Sequence, residues 1–169
     1  MFDYIKKSGL YLVVLMLFVT SSLYAQDKVF FLPNDSNNAK KEILDLIDDS
    51  SSSIDIAVYN FQYKKIAKAL KKAAKNGVKI RIVFDNEKRK KKKSQYEKLC
   101  TSKNIECKVT KDIKQHIKMI IFDKKIAMMG SLNLTKDSFN KNHELVYITD
   151  NKKVVKKLNK GFSNFFVIF

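Results

Sequence analysis

The segment between residues 53 and 85 constrains the fold more than any other part of the chain. It holds two alternating, β-branched stretches, "SIDIAVYNF" and "VKIRIVFD", on either side of "KKIAKALKKAAKNG". The apolar residues of the middle stretch recur at helical spacing, and Gly77 follows them as a helix stop signal. A strand, a helix and a strand in this order predict a βαβ unit, whose two strands are parallel and connected by a right-handed crossover.

The remaining patterns add strands and helices to this unit. A strand over "KVFFLP" precedes an amphipathic helix for which Ser36 and Asn37 are candidate caps. Further strands are predicted at residues 105–110, 116–122, 126–129 and 143–149. A final helix begins near Asp150, and its aromatic side chains, including Phe162 and Phe166, are predicted to pack in the core or in a dimer. The sequence thus predicts one α/β domain over residues 26–169, with a mixed β-sheet flanked by helices on both faces.

Residues 1–25 have the pattern of an export signal. Lys6 and Lys7 form a basic start, residues 10–19 are apolar, and a run of small and polar residues ends at Ala25. We expect cleavage after Ala25. The alternative is an uncleaved N-terminal anchor that associates the protein with a membrane, because Leu23 stands where a small residue is preferred.

Export would place the two cysteines, Cys100 and Cys107, in an oxidising compartment. A disulfide across "CTSKNIEC" would close a short loop and contribute roughly 2–3 kcal/mol in the chain-entropy model. The alternative is a pair of buried thiols. A zinc site is disfavoured because no further ligands stand nearby in the sequence.

A formal net charge of +17 is the largest deviation in composition. Clustered lysines favour a polyanionic partner, because they release counterions from a phosphate backbone and bind with little regard to base sequence. The longest basic run is predicted to contact nucleic acid and consists of Lys88, Arg89, Lys90, Lys91, Lys92 and Lys93. The alternative for this run is a solvated loop.

The segment "QHIKMIIFDKKIAMMGSLNLTKDSF" contains the residues best suited to chemistry. His116 and Lys118 stand two positions apart, so in a strand they would project from one face about 6.6 Å apart and bind a phosphate between them. Ile117, Met119 and Ile121 would then be buried on the other face. Gly130 would allow a tight exit from the next strand.

The spacing H-x-K-x4-D-x6-G-S-x-N resembles the signature of the phospholipase D superfamily. The stretches "IDIAVYNF", "IAKALKKAAKNGVKIRIVFD" and "SFNKNHELVY" are similar to those of its short bacterial endonucleases, which carry one motif per chain. This resemblance covers most of residues 28–166. It implies a phospholipase D-like fold and a phosphodiesterase that works through a phosphohistidine, without a metal or another cofactor. Together with the export signal, it predicts a periplasmic or cell-envelope location.

Carried over position by position, the resemblance assigns His116 as the nucleophile. Lys118 and Asn133 would bind the non-bridging phosphate oxygens, and Ser131 would support that pocket. A nucleophilic histidine also needs a proton donor for the leaving oxygen, so the reaction requires two imidazoles in opposite protonation states. A two-fold homodimer would supply them, because it brings two copies of the motif to one shared site.

Two acidic residues complete the resemblance. Asp123 would orient the motif through ion pairs and would not touch the substrate. Glu144 would hold the second ring nitrogen of His116 and so fix its tautomer. The neighbouring His143 would point away from the site by strand alternation.

These features predict an exported nuclease that cleaves DNA, and RNA as a second substrate, with little sequence preference. One alternative is a phospholipase acting on anionic lipid, which the same chemistry would serve. The other is a non-catalytic nucleic-acid-binding protein in DNA uptake, which would not need a positioned histidine.

Overall fold

A single seven-stranded sheet organises the protein, whose computed structural model describes residues 27–168. The strands are β1 (Lys28–Leu32), β2 (Ser53–Val58), β3 (Lys79–Phe84), β4 (Ile105–Val109), β5 (Lys118–Phe122), β6 (Ile126–Gly130) and β7 (Glu144–Thr149). They lie in the order β1-β7-β6-β5-β2-β3-β4. β2, β3 and β4 are parallel, and the other neighbours are antiparallel. The predicted mixed sheet and its parallel βαβ unit are therefore confirmed.

Helices cover both faces of the sheet, as predicted. They are α1 (Ser36–Asp49), α2 (Lys64–Lys75), α3 (Asn86–Arg89), α4 (Tyr96–Cys100), α5 (Lys136–Asn140) and α6 (Lys152–Ile168). On one face, Ile43 of α1 and Leu70 of α2 pack in a core with the sheet residues Ile56 and Ile120. On the other face, Phe162 and Phe166 of α6 pack in a second core. The aromatic side of the last helix is therefore core.

An ion pair lies beneath α6, between neighbouring strands. Arg81 of β3 donates from Nε and Nη2 to the two carboxylate oxygens of Asp55 on β2, both at 2.7 Å. The guanidinium of Arg81 also lies 5.0 Å from the ring centroid of Phe162 and 5.1 Å from that of Phe166. The hydrogen bond to Asp55 raises the pKa of Arg81. The pair connects β2 and β3 to the helix that covers them.

Local signals in the sequence were only partly correct. α2 ends before Gly77, whose φ of 98° requires glycine's freedom. The candidate caps Ser36 and Asn37 are wrong, because α1 begins at Ser36 and the hydroxyl of Ser36 donates to Asn140. Cys100 and Cys107 form a disulfide that joins the end of α4 to β4.

The predicted export signal, residues 1–25, lies outside the described residues. Within residues 27–168, no helix combines the length and apolar character needed to cross a bilayer.

Candidate active site

The predicted site residues, apart from Asp123, lie at one end of the sheet. This end is formed by the carboxyl ends of β2 and β3, the beginning of β5, the end of β6 and the beginning of β7. Ligands of α/β sheets bind outside the carboxyl ends of parallel strands. The fold therefore places the candidate chemistry where a substrate can reach it.

His116 and Lys118 are in direct contact at this end. Nζ of Lys118 lies 3.1 Å from Nδ1 and 3.4 Å from Nε2 of the His116 ring. The same ammonium donates to the backbone oxygen of His116 at 2.7 Å. His116 is exposed, whereas Lys118 is only 8% exposed. A buried ammonium thus fixes the segment that presents an accessible imidazole.

The predicted strand position of His116 is wrong. β5 begins at Lys118, which pairs with Val58 at the end of β2, and His116 lies before this first pair. Met119 and Ile121 are buried as expected, but Ile117 is 44% exposed. Gln115 is the buried residue ahead of the strand, and its backbone N–H donates to Asp85 at 3.2 Å. The alternation fails because the chain has left the sheet at that point and is held by Asp85.

Desolvation and neighbouring charges both change the pKa values of His116 and Lys118. Desolvation, followed by the positive charges of Lys118 and Lys114, lowers the pKa of His116, and the carboxylate of Asp85 opposes this. Desolvation also lowers the pKa of Lys118, against the opposing effect of Glu144. A lowered pKa keeps the imidazole of His116 neutral near pH 7, which is the state a nucleophile needs.

Asn133 is oriented by the segment that follows β2. Its Oδ1 accepts from the backbone N–H of Asn60 at 3.2 Å. The adjacent Leu134 forms an isolated parallel bridge with Phe61 of the same segment. With its oxygen used in this way, the amide nitrogen of Asn133 is the group that can donate to a phosphate oxygen.

Ser131 and Glu144 form a pair across β6 and β7. The Ser131 hydroxyl donates to Glu144 Oε2 at 2.5 Å and accepts from the Leu145 N–H at 3.0 Å. The predicted contact of Glu144 with His116 is not among its described hydrogen bonds, which go to Ser131 and Asn142. The reason is strand pairing, which places Ser131 directly beside the start of β7. Glu144 acts on the site instead through its charge on Lys118.

Gly130 allows this close approach. Its φ is +150°, and a Cβ built there would lie 2.0 Å from the backbone oxygen of Leu145. The same oxygen accepts from the Ser131 N–H at 3.0 Å. A side chain at Gly130 would therefore separate β6 from β7 at the point where Ser131 is positioned.

Asp123 lies at the far end of β5 from Lys118, roughly 16 Å away at strand spacing. Its carboxylate accepts five hydrogen bonds from Ser51, Ser52 and Ser53, three of them from backbone N–H groups. Burial alone would raise the pKa of Asp123, but these hydrogen bonds lower it well below its ordinary value. The expected ion pairs are wrong: Asp123 fixes the turn after β5 to the start of β2 by hydrogen bonds.

The basic run at residues 88–93 divides into residues that contact aromatic rings of the domain and residues that face solvent. Nζ of Lys88 lies 4.8 Å from the ring centroid of Tyr59, and the guanidinium of Arg89 lies 5.3 Å from that of Tyr96. Lys90 pairs with Glu87. Lys91, Lys92 and Lys93 are exposed. Only part of the run is therefore a solvated loop.

Two residues of this region were not singled out from the sequence. The ring of Tyr59 lies 4.7 Å from the imidazole of His116. Asp85, only 4% exposed, accepts from the N–H groups of Glu87, Lys88 and Gln115. Tyr59 directly follows β2 and Asp85 directly follows β3, the position where functional residues of α/β sheets occur. The strands predicted from the sequence ran through both residues, which concealed this signal.

Within the described part of the chain, no group of three or more His, Cys, Asp or Glu side chains is placed to hold a metal ion. The groups at the site that can donate hydrogen bonds are an imidazole, an ammonium and an amide, which suit an anionic ligand.

Comparison with known proteins identifies the family. The family described as "Cardiolipin synthase, PLD-like domain" matches residues 43–166. The chain belongs to this phospholipase D-like family. The match includes all six residues of the candidate site, from His116 to Glu144.

Individual relatives agree with this assignment. Phospholipase D of Rickettsia conorii is 31% identical over 125 residues, which are 73% of this chain and 62% of that protein. The chain thus matches less than two thirds of the length of this relative. Among solved phospholipase D-like structures, NucT from Helicobacter pylori has a TM-score of 0.80 and 27% identity over 83% of this chain and 95% of that one. Nuc from Salmonella typhimurium has a TM-score of 0.74 and 28% identity, covering 83% and 93%.

Proposed function

We propose that this protein is a phosphodiesterase that hydrolyses nucleic acid, with DNA as the first substrate and RNA as the second. The contact between an accessible, neutral imidazole of His116 and the buried ammonium of Lys118 carries the proposal. The structural likeness to NucT and Nuc supports the fold and the reaction class. The net charge of +17 favours a long polyanion over a small diester as the natural substrate.

In the proposed reaction, a ring nitrogen of His116 attacks phosphorus. A P–N bond forms as the bond to the leaving oxygen breaks, and that oxygen takes a proton from a second imidazole. Water then attacks phosphorus, its proton returns to the second imidazole, and the P–N bond breaks to release the phosphate monoester and neutral His116. Lys118 and the amide of Asn133 stabilise the negative charge on the non-bridging oxygens, the role a divalent ion has in other nucleases.

The second imidazole is proposed to come from another copy of the chain. Of the two histidines in the sequence, His143 is exposed in the segment before β7, and none of its described contacts joins it to His116. A two-fold homodimer would place a second His116 at the same phosphate. The proposal therefore includes a shared active site.

An exposed apolar strip next to the site supports this assembly. Val29 and Phe31 of β1 and Leu145 of β7 are 51%, 64% and 42% exposed, and Phe31 and Leu145 are direct partners in the sheet. The N–H of Leu145 donates to the hydroxyl of Ser131. A second copy packed on this strip would cover apolar surface and lie beside the catalytic residues.

Export remains part of the proposal and rests on residues 1–25 alone. The basic start, apolar run and small-residue exit would direct the domain to the periplasm or cell envelope. Detection of the mature N-terminus by mass spectrometry, after expression of the full chain in a bacterium, tests this: cleavage after Ala25 supports a signal peptide, and an intact N-terminus supports an anchor.

A phospholipase is the second candidate, because the Rickettsia conorii relative bears that name. Purified protein should be assayed in EDTA on single-stranded DNA, duplex DNA, RNA and vesicles of an anionic phospholipid. Hydrolysis of nucleic acid in EDTA, lost in His116→Ala, is the expected result. Activity that EDTA abolishes and magnesium or zinc restores would contradict the phosphohistidine reaction. Release of a lipid headgroup without cleavage of nucleic acid would favour the phospholipase.

A further inference from the structure

The ring of Tyr59 lies at the centre of a group of cationic side chains beside His116. Nζ atoms of Lys88, Lys114 and Lys118 are 4.8, 4.9 and 5.5 Å from its centroid. The imidazole of His116 is 4.7 Å away, tilted by 53° to the ring. Lys118 belongs to the catalytic group described above. Lys88 and Lys114 need a separate explanation.

Ammonium groups gathered around one ring repel each other. Attraction to the face of a tyrosine is weak at an exposed site and does not by itself account for their convergence. The ion pairs described within residues 27–168 involve Arg81 or other lysines, and none involves Lys88 or Lys114. Positive charges held together beside a nucleophile indicate a position for an anion.

The protein fixes both lysines relative to the site. Oδ1 of Asp85 accepts from the backbone N–H of Lys88 at 3.0 Å, and Oδ2 accepts from that of Gln115, the residue after Lys114, at 3.2 Å. Because Asp85 is buried, this arrangement is part of the folded framework. A cleft of about 270 Å³ opens beside Tyr59, Asp85 and Lys114; Lys111 also lines it, together with the acidic Glu87 and Asp112, whereas Lys88 lies outside its lining.

We propose that Tyr59, Lys88 and Lys114 form a second phosphate subsite. It binds the phosphate that follows or precedes, by one nucleotide, the phosphate attacked by His116. His116 and Lys114 both lie beside the ring of Tyr59, so a phosphate bound at His116 and one bound at Lys114 would be close neighbours. This arrangement suits adjacent phosphates of one nucleic-acid strand. The proposal rests on the proposed nuclease function and adds to it a preference for substrates with at least two consecutive phosphates.

The test compares two substrates of the full chain: a thymidine dinucleotide with one phosphodiester and a trinucleotide with two. The wild-type protein should have a kcat/KM for the trinucleotide about tenfold above that for the dinucleotide, the gain expected for a charge-assisted contact. In Lys114→Ala and in Tyr59→Leu this ratio should fall towards the ratio of cleavable bonds. Lys114→Arg keeps the charge and should restore the preference.

Lys68→Ala is the matched control, because it removes the same charge from an exposed position on α2. It should leave the ratio unchanged, and thermal unfolding should show that each variant is folded. A wild-type protein that cleaves both substrates without preferring the trinucleotide, or a preference that persists in Lys114→Ala, would overturn the subsite and leave the nuclease function intact. A protein that cleaves neither the dinucleotide, nor the trinucleotide, nor DNA would overturn the proposed function and the subsite with it.

Discussion

The protonation of His116 is set by desolvation and by a small number of neighbouring charges. Lys118 and Lys114 lower its pKa and Asp85 raises it, in addition to the larger effect of desolvation. A base that must be neutral produces an ascending limb in the pH profile of kcat/KM, at the pKa of the free enzyme. A second, protonated imidazole would produce the descending limb.

We therefore predict that the ascending limb lies below the ordinary histidine pKa of 6.5. Lys114→Ala removes one of the positive charges that lower this pKa, so the limb should move to higher pH. The measurement is kcat/KM on the thymidine dinucleotide across pH. Lys68→Ala should leave the limb in place. An ascending limb that does not move in Lys114→Ala would show that Lys114 does not act on His116.

Asp123 contributes to stability through its hydrogen bonds to Ser51, Ser52 and Ser53. Asp123→Asn replaces an acceptor oxygen with a donor facing N–H groups, so the free energy of unfolding at pH 7 should fall by about 1–3 kcal/mol. Because the folded-state pKa is lowered, this contribution is complete above the unfolded value of 3.8 and is lost as pH falls further. The difference between wild type and variant should therefore shrink in strong acid.

Urea unfolding followed by circular dichroism at pH 7 and at low pH measures this difference. Asp137→Asn is a suitable control, because Asp137 is 70% exposed in an ion pair with Lys141. It should change stability by less than about 0.5 kcal/mol. Equal stability of wild type and Asp123→Asn at pH 7 would remove the structural role given to Asp123.

At the scale of elements, the short helix α3 and the loop after it should determine the salt dependence of binding. Lys91, Lys92 and Lys93 are exposed there. Each lysine that neutralises a duplex phosphate contributes about 0.9 to the slope of log K against log salt. The triple variant with glutamine at these positions should lower the slope by up to about 2.7.

Fluorescence anisotropy with labelled duplex DNA at several salt concentrations measures the slope. The control changes the same number of charges on α6, in Lys153, Lys156 and Lys160, which are also exposed. Its slope should remain near that of the wild type. Equal effects of the two triple variants would mean that the loop after α3 is only a solvated surface.

Most elements could be predicted from the sequence, because their signals are local. Alternation located the strands, and Gly77 located the end of α2. The errors concern contacts between distant residues. His116 lies outside β5 because Asp85, which is 30 residues away from Gln115 in the chain, holds the preceding segment. The partners of Asp123 lie about 70 residues earlier, and no local pattern indicates them.

The candidate site shows the same division. The motif in the sequence identified His116, Lys118, Ser131 and Asn133, and the structure brings their elements to one end of the sheet. The family resemblance assigned His116 as the partner of Glu144. In the structure, Glu144 accepts a hydrogen bond from Ser131 instead. This difference depends on which residues face each other across β6 and β7. Such register is set by the whole sheet and not by the motif.

At the scale of the whole molecule, the proposed homodimer makes a quantitative prediction. If each site needs His116 from both chains, a dimer of one wild-type and one His116→Ala chain should barely cleave DNA. Activity should then follow the square of the wild-type fraction. Equal amounts refolded together should keep about a quarter of the all-wild-type activity, whereas independent sites should keep about half, for random isologous pairing.

The measurement uses a series of mixing ratios with the total protein concentration held constant. A diester with a nitrophenolate leaving group needs little protonation, so mixed dimers should recover some activity on it while remaining poor on DNA. A linear dependence on the wild-type fraction with DNA would mean that the proton donor lies within one chain. His143 would then be the first residue to replace.

The buried carboxylate of Asp85 has a further consequence for how the protein responds to substrate. The Asp85 side chain accepts hydrogen bonds from two backbone amides. One belongs to Lys88, on the helix before the exposed lysines, and the other to Gln115, directly before His116. Opening of either segment weakens the constraint on the other, so these amides should exchange with deuterium as one cooperative unit. DNA that engages α3 should therefore slow deuterium exchange at Gln115, and the segment carrying His116 would become more ordered when DNA binds.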